Sequence, residues 1–138
     1  MLFQEGEIVK LSGRQLAIMR ALWEHGEATV AGLQVLLGVE PPLAYSTVAT
    51  VLSRMEKKGL VTHRCEDRVY YYQAAVSEDR AGQTLVGEFV ERIFGGSPSE
   101  LVNHLLDSDQ VDAKELQRIK TLVQEHEARL RSQQGDRS

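Results

Sequence analysis

The chain has little that could cross-link it or hold it in a membrane. Cys65 is the only cysteine in 138 residues, so an intrachain disulfide and a multi-cysteine metal cluster are excluded. No apolar run approaches the roughly 18 residues that a membrane-spanning helix needs. Glu5, Glu7 and Lys10 lie where a secretory signal would have an apolar core. We therefore expect a cytoplasmic protein, with no membrane partner, whose fold is held by packing alone.

Positive charge is scarce overall but is concentrated in one segment. The net charge is −4, which taken globally disfavours a nucleic-acid partner. Residues 1–76 carry eight basic and eight acidic side chains, whereas residues 77–138 carry eight and twelve. Within the first part, residues 44–76 have a net charge of +2. The sequence thus locates a candidate basic surface in the middle of the chain.

The chain begins with two short amphipathic segments. Ser12 and Gln15 have the spacing of a capping box, and Gly26 offers a left-handed stop for the first helix. Thr29 has the position of an N-cap for a second helix that ends at Gly38. This pattern predicts a helical hairpin or corner. The residues of the first helix assigned to the core by their spacing are Leu16, Met19, Leu22 and Trp23.

A third helix is predicted from about Ala44 to Lys58, after a Pro-Pro pair that cannot continue a helix. One face of this helix is an apolar stripe, and the opposite face carries short hydroxyl side chains and Arg54, with no carboxylate before Glu56. Such a face can approach phosphates and base edges closely. The inward stripe, at helical spacing, consists of Val48, Val51, Leu52 and Met55.

The chain then changes from helical to strand periodicity. β-Branched and aromatic runs at residues 60–65 and 69–72 surround Glu66-Asp67-Arg68 and predict a β-hairpin. Three helices followed by a hairpin is the order of a winged helix-turn-helix module. We therefore predict a mainly α fold with a small β-hairpin, in which residues 1–76 form a winged helix-turn-helix DNA-binding domain.

The last part of the chain returns to helical periodicity. Capping residues predict three helices that begin at Ser77, Ser97 and near Asp112. We assign residues 77–131 to a helical dimerisation domain, because three helices of this length bury little surface alone, and residues 132–138 to a flexible tail. A second copy of the chain is the expected partner. The residues predicted at the homodimer interface are Phe89, Ile93, Leu101, Leu105, Leu116, Ile119, Leu122 and Val123.

One string resembles a known family. Residues 43–61, LAYSTVATVLSRMEKKGLV, resemble the penicillinase-repressor family of the BlaI/MecI/CopY type. The likeness continues through Arg68-Val69-Tyr70-Tyr71-Tyr72 and Gly95-Gly96, and covers about residues 10–125. It implies a dimeric bacterial repressor in which a winged helix binds a pseudo-palindromic operator in double-stranded DNA and the C-terminal helices dimerise. The family's name connects such repressors with the antibiotic response.

The resemblance also implies a route of induction. In the family, repression is commonly relieved when a sensor-linked metalloprotease cuts the dimerisation domain. By position the cut would fall near His104 and Leu105, where the staphylococcal members carry an Asn-Phe pair. A ligand or redox change that alters the dimer geometry is the other hypothesis for derepression.

On the winged-helix interpretation, hydroxyls and Arg54 enter the major groove, where Arg54 can be bidentate to a guanine. Basic residues of the hairpin and of the helix end contact phosphates, and these contacts set the affinity and its salt dependence. Two copies should bind half-sites about one turn, roughly 34 to 36 Å, apart. The residues predicted to bind DNA are Tyr45, Ser46, Thr47, Thr50, Arg54, Lys57, Lys58, Arg64 and Arg68.

Two other classes of function compete with DNA binding. A winged helix could serve as a protein-interaction module, but a docking face should expose large apolar side chains where this one shows Ser, Thr and Arg. His63 and Cys65 lie on one face of a strand and could make the protein metal- or redox-responsive, although two ligands do not form a metal site. No catalytic motif and no cofactor-binding motif is present, so neither an enzyme nor a cofactor is expected.

Overall fold

The computed structural model describes residues 10–135, which form six helices and one two-stranded antiparallel sheet. The predicted order of three helices, a hairpin and three further helices is confirmed. In chain order the elements are α1 (Gly13–His25), α2 (Val30–Leu36), α3 (Tyr45–Lys57), β1 (Val61–Glu66), β2 (Val69–Ala74), α4 (Glu78–Ile93), α5 (Pro98–Leu106) and α6 (Ala113–Gly135).

Side-chain caps fix where the first two helices begin. The Gln15 backbone N–H donates to Ser12 Oγ and the Ser12 N–H donates to Gln15 Oε1, both at 3.1 Å, which completes the predicted capping box. The Gly32 N–H donates to Thr29 Oγ1 at 3.0 Å. Gly26 ends α1 with a φ of 84°, a conformation that glycine adopts without steric cost. The local sequence therefore sets where α1 and α2 begin and where α1 stops, as predicted.

The core of the first part of the chain lies between the three N-terminal helices and the hairpin. Full burial of a Leu, Ile or Met side chain contributes about 1.5 to 3 kcal/mol, so the inner faces of α1 and α3 hold these helices together. Trp23 is partly buried, and its indole N–H donates to the Val76 carbonyl at 2.8 Å. The largest fully buried side chains are Ile18, Met19, Leu22, Leu33, Val48, Leu52, Met55, Leu60 and Val61.

The hairpin is closed by a two-residue turn. Val61 pairs with Ala74 and the ladder continues to the pair Glu66 and Val69. Asp67 and Arg68 therefore form the loop, with φ of 51° and 67°. Positive φ at both loop residues is the geometry whose twist matches that of the strands. Glu66, which the sequence grouped with the turn, is the last residue of β1.

The hairpin is also attached to the helices through the backbone. The Ala28 N–H donates to the Tyr72 carbonyl at 2.9 Å, and the Tyr72 N–H donates to the Ala28 carbonyl at 2.8 Å. This bridge joins β2 to the segment between α1 and α2. Tyr72 itself is buried and belongs to the core of this part of the chain.

The chain divides into two compact units within α4. The first unit ends at Phe89 and the second begins at Val90. The sequence predicted the division after residue 76, at the start of α4. The first turns of α4 remain with the first unit because Ala81 is fully buried in its core.

The second unit contains α5 and α6. The Glu100 N–H contacts Ser97 Oγ at 3.4 Å at the start of α5, where Pro98 occupies the first turn. The tail predicted to begin at residue 132 is helical as far as Gly135, because the sequence from 113 to 134 contains neither glycine nor proline. The remaining tail residues, 136–138, and residues 1–9 lie outside the described part. None of the helices between residues 10 and 135 is long and apolar enough to cross a membrane.

Candidate nucleic-acid interface

The outer face of α3 consists of small polar side chains and one long cation. Ser46, Thr50 and Arg54 are exposed and follow one another at i, i+4 and i+8, so they lie on one side of the helix. Thr47 is partly exposed, and Tyr45 at the first position is 59% exposed. We refer to these five residues as the outer face of α3. All five side chains are at least partly accessible to solvent, and their predicted contact with DNA stays a prediction.

The inner face of the same helix is anchored in the core. Val48, Leu52 and Met55 have no solvent-exposed area, and Val51 is partly buried. A helix with three fully buried side chains on one side cannot rotate or shift without exposing them. The orientation of the outer face is therefore fixed by packing before any ligand binds.

A shallow groove runs between the outer face of α3 and the start of α1. Arg14 of α1 and Arg54 of α3 both line it, and Val51 also contributes to it. Ser46, Thr47 and Thr50 contribute to the same groove. The sequence predictions missed Arg14, because no spacing along the chain connects residue 14 with residues 46–54.

The hairpin carries Arg64, which already has protein partners. Its Nε and Nη2 atoms donate to the two carboxylate oxygens of Glu27 at 3.0 and 2.8 Å, and Nη1 donates to Glu66. The guanidinium also lies 4.4 Å from the ring centre of Tyr71. Hydrogen bonds from Arg64 lower the pKa of Glu27, and the same bonds raise the pKa of Arg64. The contact with Glu27 spans 37 residues of the chain, so no spacing in the sequence predicts it.

The ion pairs of Arg64 are weak enough for this side chain to exchange a carboxylate partner for a phosphate. The Arg64 side chain is 50% exposed and that of Glu27 is 35% exposed. Exposed ion pairs are screened by solvent and contribute little to stability, so replacing a carboxylate partner by a DNA phosphate costs little. The predicted role of Arg64 at the DNA stays a prediction.

The remaining predicted cations lie at the end of α3 and at the hairpin turn. Lys57 is exposed in the last turn of α3, and Lys58 follows as its exposed C-cap. At a helix C-terminus, positive side chains are also favoured by the helix dipole. Arg68 is exposed in the two-residue turn. Arg68 therefore lies at the tip of the hairpin, and its predicted phosphate contact stays a prediction.

His63 connects the hairpin with the end of α3. Its ring stacks on Tyr70, with centroids 4.2 Å apart and planes inclined by 18°, and Nδ1 contacts a carboxylate oxygen of Glu56. Burial, and after it the charge of Glu56, raises the pKa of Tyr72 beside this cluster. Cys65 is exposed on β1. In residues 10–135, no three potential metal-ligating side chains of His, Cys, Asp or Glu come together.

The predicted dimerisation residues all remain at least partly accessible to solvent. No residue of α5 or α6 is buried, and Ile93 at the end of α4 is 62% exposed. Leu101 and Ile119 are partly buried. The exposed members are Phe89, Ile93, Leu105, Leu116, Leu122 and Val123.

The predicted cleavage site lies inside α5. His104 and Leu105 are exposed, but their backbone is helical. The His104 ring lies 5.1 Å from the ring of Phe94, centre to centre. Both side chains are accessible to solvent, but the backbone that joins them is helical and not extended.

The sequence model of the penicillinase repressor family matches residues 11–125. The chain belongs to the penicillinase repressor family. It is 25% identical over 123 residues to the penicillinase repressor of Bacillus licheniformis, covering 89% of this chain and 96% of that one. It is 30% identical over 112 residues to the transcriptional regulator BlaI of Mycobacterium tuberculosis, covering 78% and 81%. Among solved structures it is similar to YusO of Bacillus subtilis, at 16% identity and a TM-score of 0.48, covering 90% and 79% of the two chains.

Membership of the penicillinase repressor family confirms the resemblance carried by residues 43–61. The prediction of a transcriptional repressor is confirmed at the level of the family.

Proposed function

We propose that this penicillinase repressor homologue is a homodimer that represses transcription by binding pseudo-palindromic operator DNA through α3 and the hairpin. The observation that carries the proposal is the outer face of α3. It combines hydroxyls with Arg54, has no carboxylate before Glu56, and sits on a helix whose inner side chains are fully buried.

The chemistry of this face suits the major groove of DNA. Hydroxyls such as those of Ser46 and Thr50 can donate to phosphates or to base edges. The guanidinium of Arg54 can donate two hydrogen bonds to O6 and N7 of a guanine, which is worth about 1 to 3 kcal/mol of discrimination against other bases. Lys57 and Arg68 then contribute phosphate contacts, which carry no sequence information.

The exposed apolar side chains of the C-terminal helices support the homodimer. Exposed apolar clusters on a soluble protein commonly mark an interaction surface, and a two-fold symmetric pair would cover the same residues on both copies. Two linked winged helices bind two half-sites, and the second binding event is then effectively intramolecular. Separation of the two copies would therefore release the operator.

Derepression would follow from any event that weakens the dimer. A protease acting between His104 and Leu105 would first have to unwind part of α5, because proteases bind extended chain. Short surface helices with no buried residue open at low cost. A ligand or a redox change at the dimer would have the same consequence without cleavage.

Selection from a pool of random duplexes, followed by sequencing, tests the proposal. The wild-type chain should enrich an inverted repeat with half-sites about one helical turn apart. Arg54→Ala should lose discrimination at one base pair per half-site, whereas Arg20→Ala, an exposed arginine on α1 outside the groove, should select the same repeat. Recovery of no common sequence by the wild-type chain, or an equal loss by both variants, would refute operator binding through α3.

A further inference from the structure

The groove between α1 and α3 contains a cation that the proposed function does not use. Arg14 is exposed in the first turn of α1 and lines the groove together with Arg54. Within residues 10–135, neither guanidinium forms an ion pair with a carboxylate. Arg64, by contrast, has two carboxylate partners. The two groove arginines thus keep their full hydrogen-bonding capacity for a ligand.

The surroundings of Arg14 favour an anion. The first turn of α1 contains no acidic residue, and the N-terminal end of a helix is its positive end. The polar side chains of Ser12 and Gln15 are occupied in the capping box, so Arg14 is the side chain of this turn that is available. Across the groove, Ser46, Thr47 and Thr50 offer hydroxyl donors.

A DNA phosphate suits Arg14 better than a base edge does. A phosphate accepts charge-assisted hydrogen bonds from a guanidinium, and its negative charge suits an arginine that forms no ion pair within residues 10–135; Arg54 and the hydroxyls of α3 stay available for the base edges. If the outer face of α3 lies in the major groove, the start of α1 borders that face on one side. The sugar-phosphate backbone that flanks the major groove is then the part of the duplex nearest to Arg14.

We propose that Arg14 is a positioning residue that binds a backbone phosphate of the operator and fixes the depth and tilt of α3 in the major groove. The proposal rests on the proposed function, because it takes the outer face of α3 as the base-contacting surface. Arg14 adds affinity and orientation, while Arg54 distinguishes bases. In a homodimer each operator would receive two such contacts.

Salt-dependent binding measures the proposed contact directly. Each phosphate neutralised on duplex DNA contributes about 0.9 to the slope of log affinity against log salt concentration. Two lost contacts should reduce the slope of Arg14→Gln by about 1.8, which corresponds to about 30-fold weaker binding at 0.15 M salt. The full-length chain is titrated by fluorescence anisotropy against its selected operator and against a scrambled duplex, between 0.05 and 0.3 M salt.

Three variants make the measurement specific. Arg14→Gln should weaken both duplexes by the same factor, whereas Arg14→Lys should retain most of the slope, because lysine binds phosphate as a point charge. Arg20→Gln is the matched control, six residues along the same helix and outside the groove, and should match the wild type. Circular dichroism and thermal melting check that the folds are equal.

The outcomes separate this proposal from the proposed function. An unchanged slope in Arg14→Gln, with Arg54→Ala still losing discrimination at one base pair per half-site, would overturn the role of Arg14 and leave operator binding in place. Loss of operator binding with intact binding to the scrambled duplex would make Arg14 a base-contacting residue and also overturn the phosphate contact. A wild-type chain that binds both duplexes equally would refute the proposed function and this inference with it.

Discussion

Truncation of Leu122 tests whether the exposed apolar residues of the C-terminal helices form the dimer interface. Leu122 lies on α6 and is 48% exposed in the single chain. Full burial of a leucine contributes about 1.5 to 3 kcal/mol, so covering the exposed half contributes about 1 kcal/mol per copy. Leu122 occurs twice in a two-fold symmetric interface, once in each copy, so its burial contributes about 2 kcal/mol to the dimer. Since about 1.4 kcal/mol is a factor of ten in an equilibrium constant, Leu122→Ala should raise the dimer dissociation constant about 30-fold.

Sedimentation velocity over a concentration series measures this constant. Alanine has the highest helix propensity, so α6 should remain helical, and circular dichroism checks this. The control is Val35→Ala on α2, because Val35 is 79% exposed but lies outside the predicted interface. The control should dimerise like the wild type. Equal dissociation constants for Leu122→Ala and the wild type, or an equal change in the control, would refute the assignment of this surface.

Two further predictions concern stability. Leu52→Ala removes a fully buried side chain behind the outer face of α3 and should lower the free energy of unfolding of the first unit by about 2 to 5 kcal/mol. Urea denaturation followed by Trp23 fluorescence measures this free energy. A loss below about 1 kcal/mol would contradict full burial of Leu52. Glu27→Gln tests the ion pair with Arg64. Because Arg64 lowers the pKa of Glu27, the pair stabilises the fold above the pKa of the unfolded carboxyl, about 4.3, and this stabilisation disappears as the pH falls through the folded pKa. The stability difference between wild type and variant should therefore shrink between pH 6 and pH 3, and a constant difference would exclude a charged contact.

The sequence alone determined the secondary structure and the family. Capping residues such as Ser12 and Thr29 act on backbone groups three residues away, so their effect can be inferred from spacing. Helical spacing separated the buried side of α3 from its polar side, and the change to strand periodicity after Gly59 located the hairpin. The outer face of α3 was predictable because all its members lie on one helix.

The tertiary structure decided what depends on contacts between distant segments. Only packing brings Arg14 of α1 to the groove beside Arg54, and only the fold places Glu27 against Arg64, 37 residues away. The first turns of α4 belong to the first unit because Ala81 is buried in its core. Such contacts have no fixed sequence spacing, since they depend on how helices and strands pack together. Periodicity and caps report only on neighbours within one element.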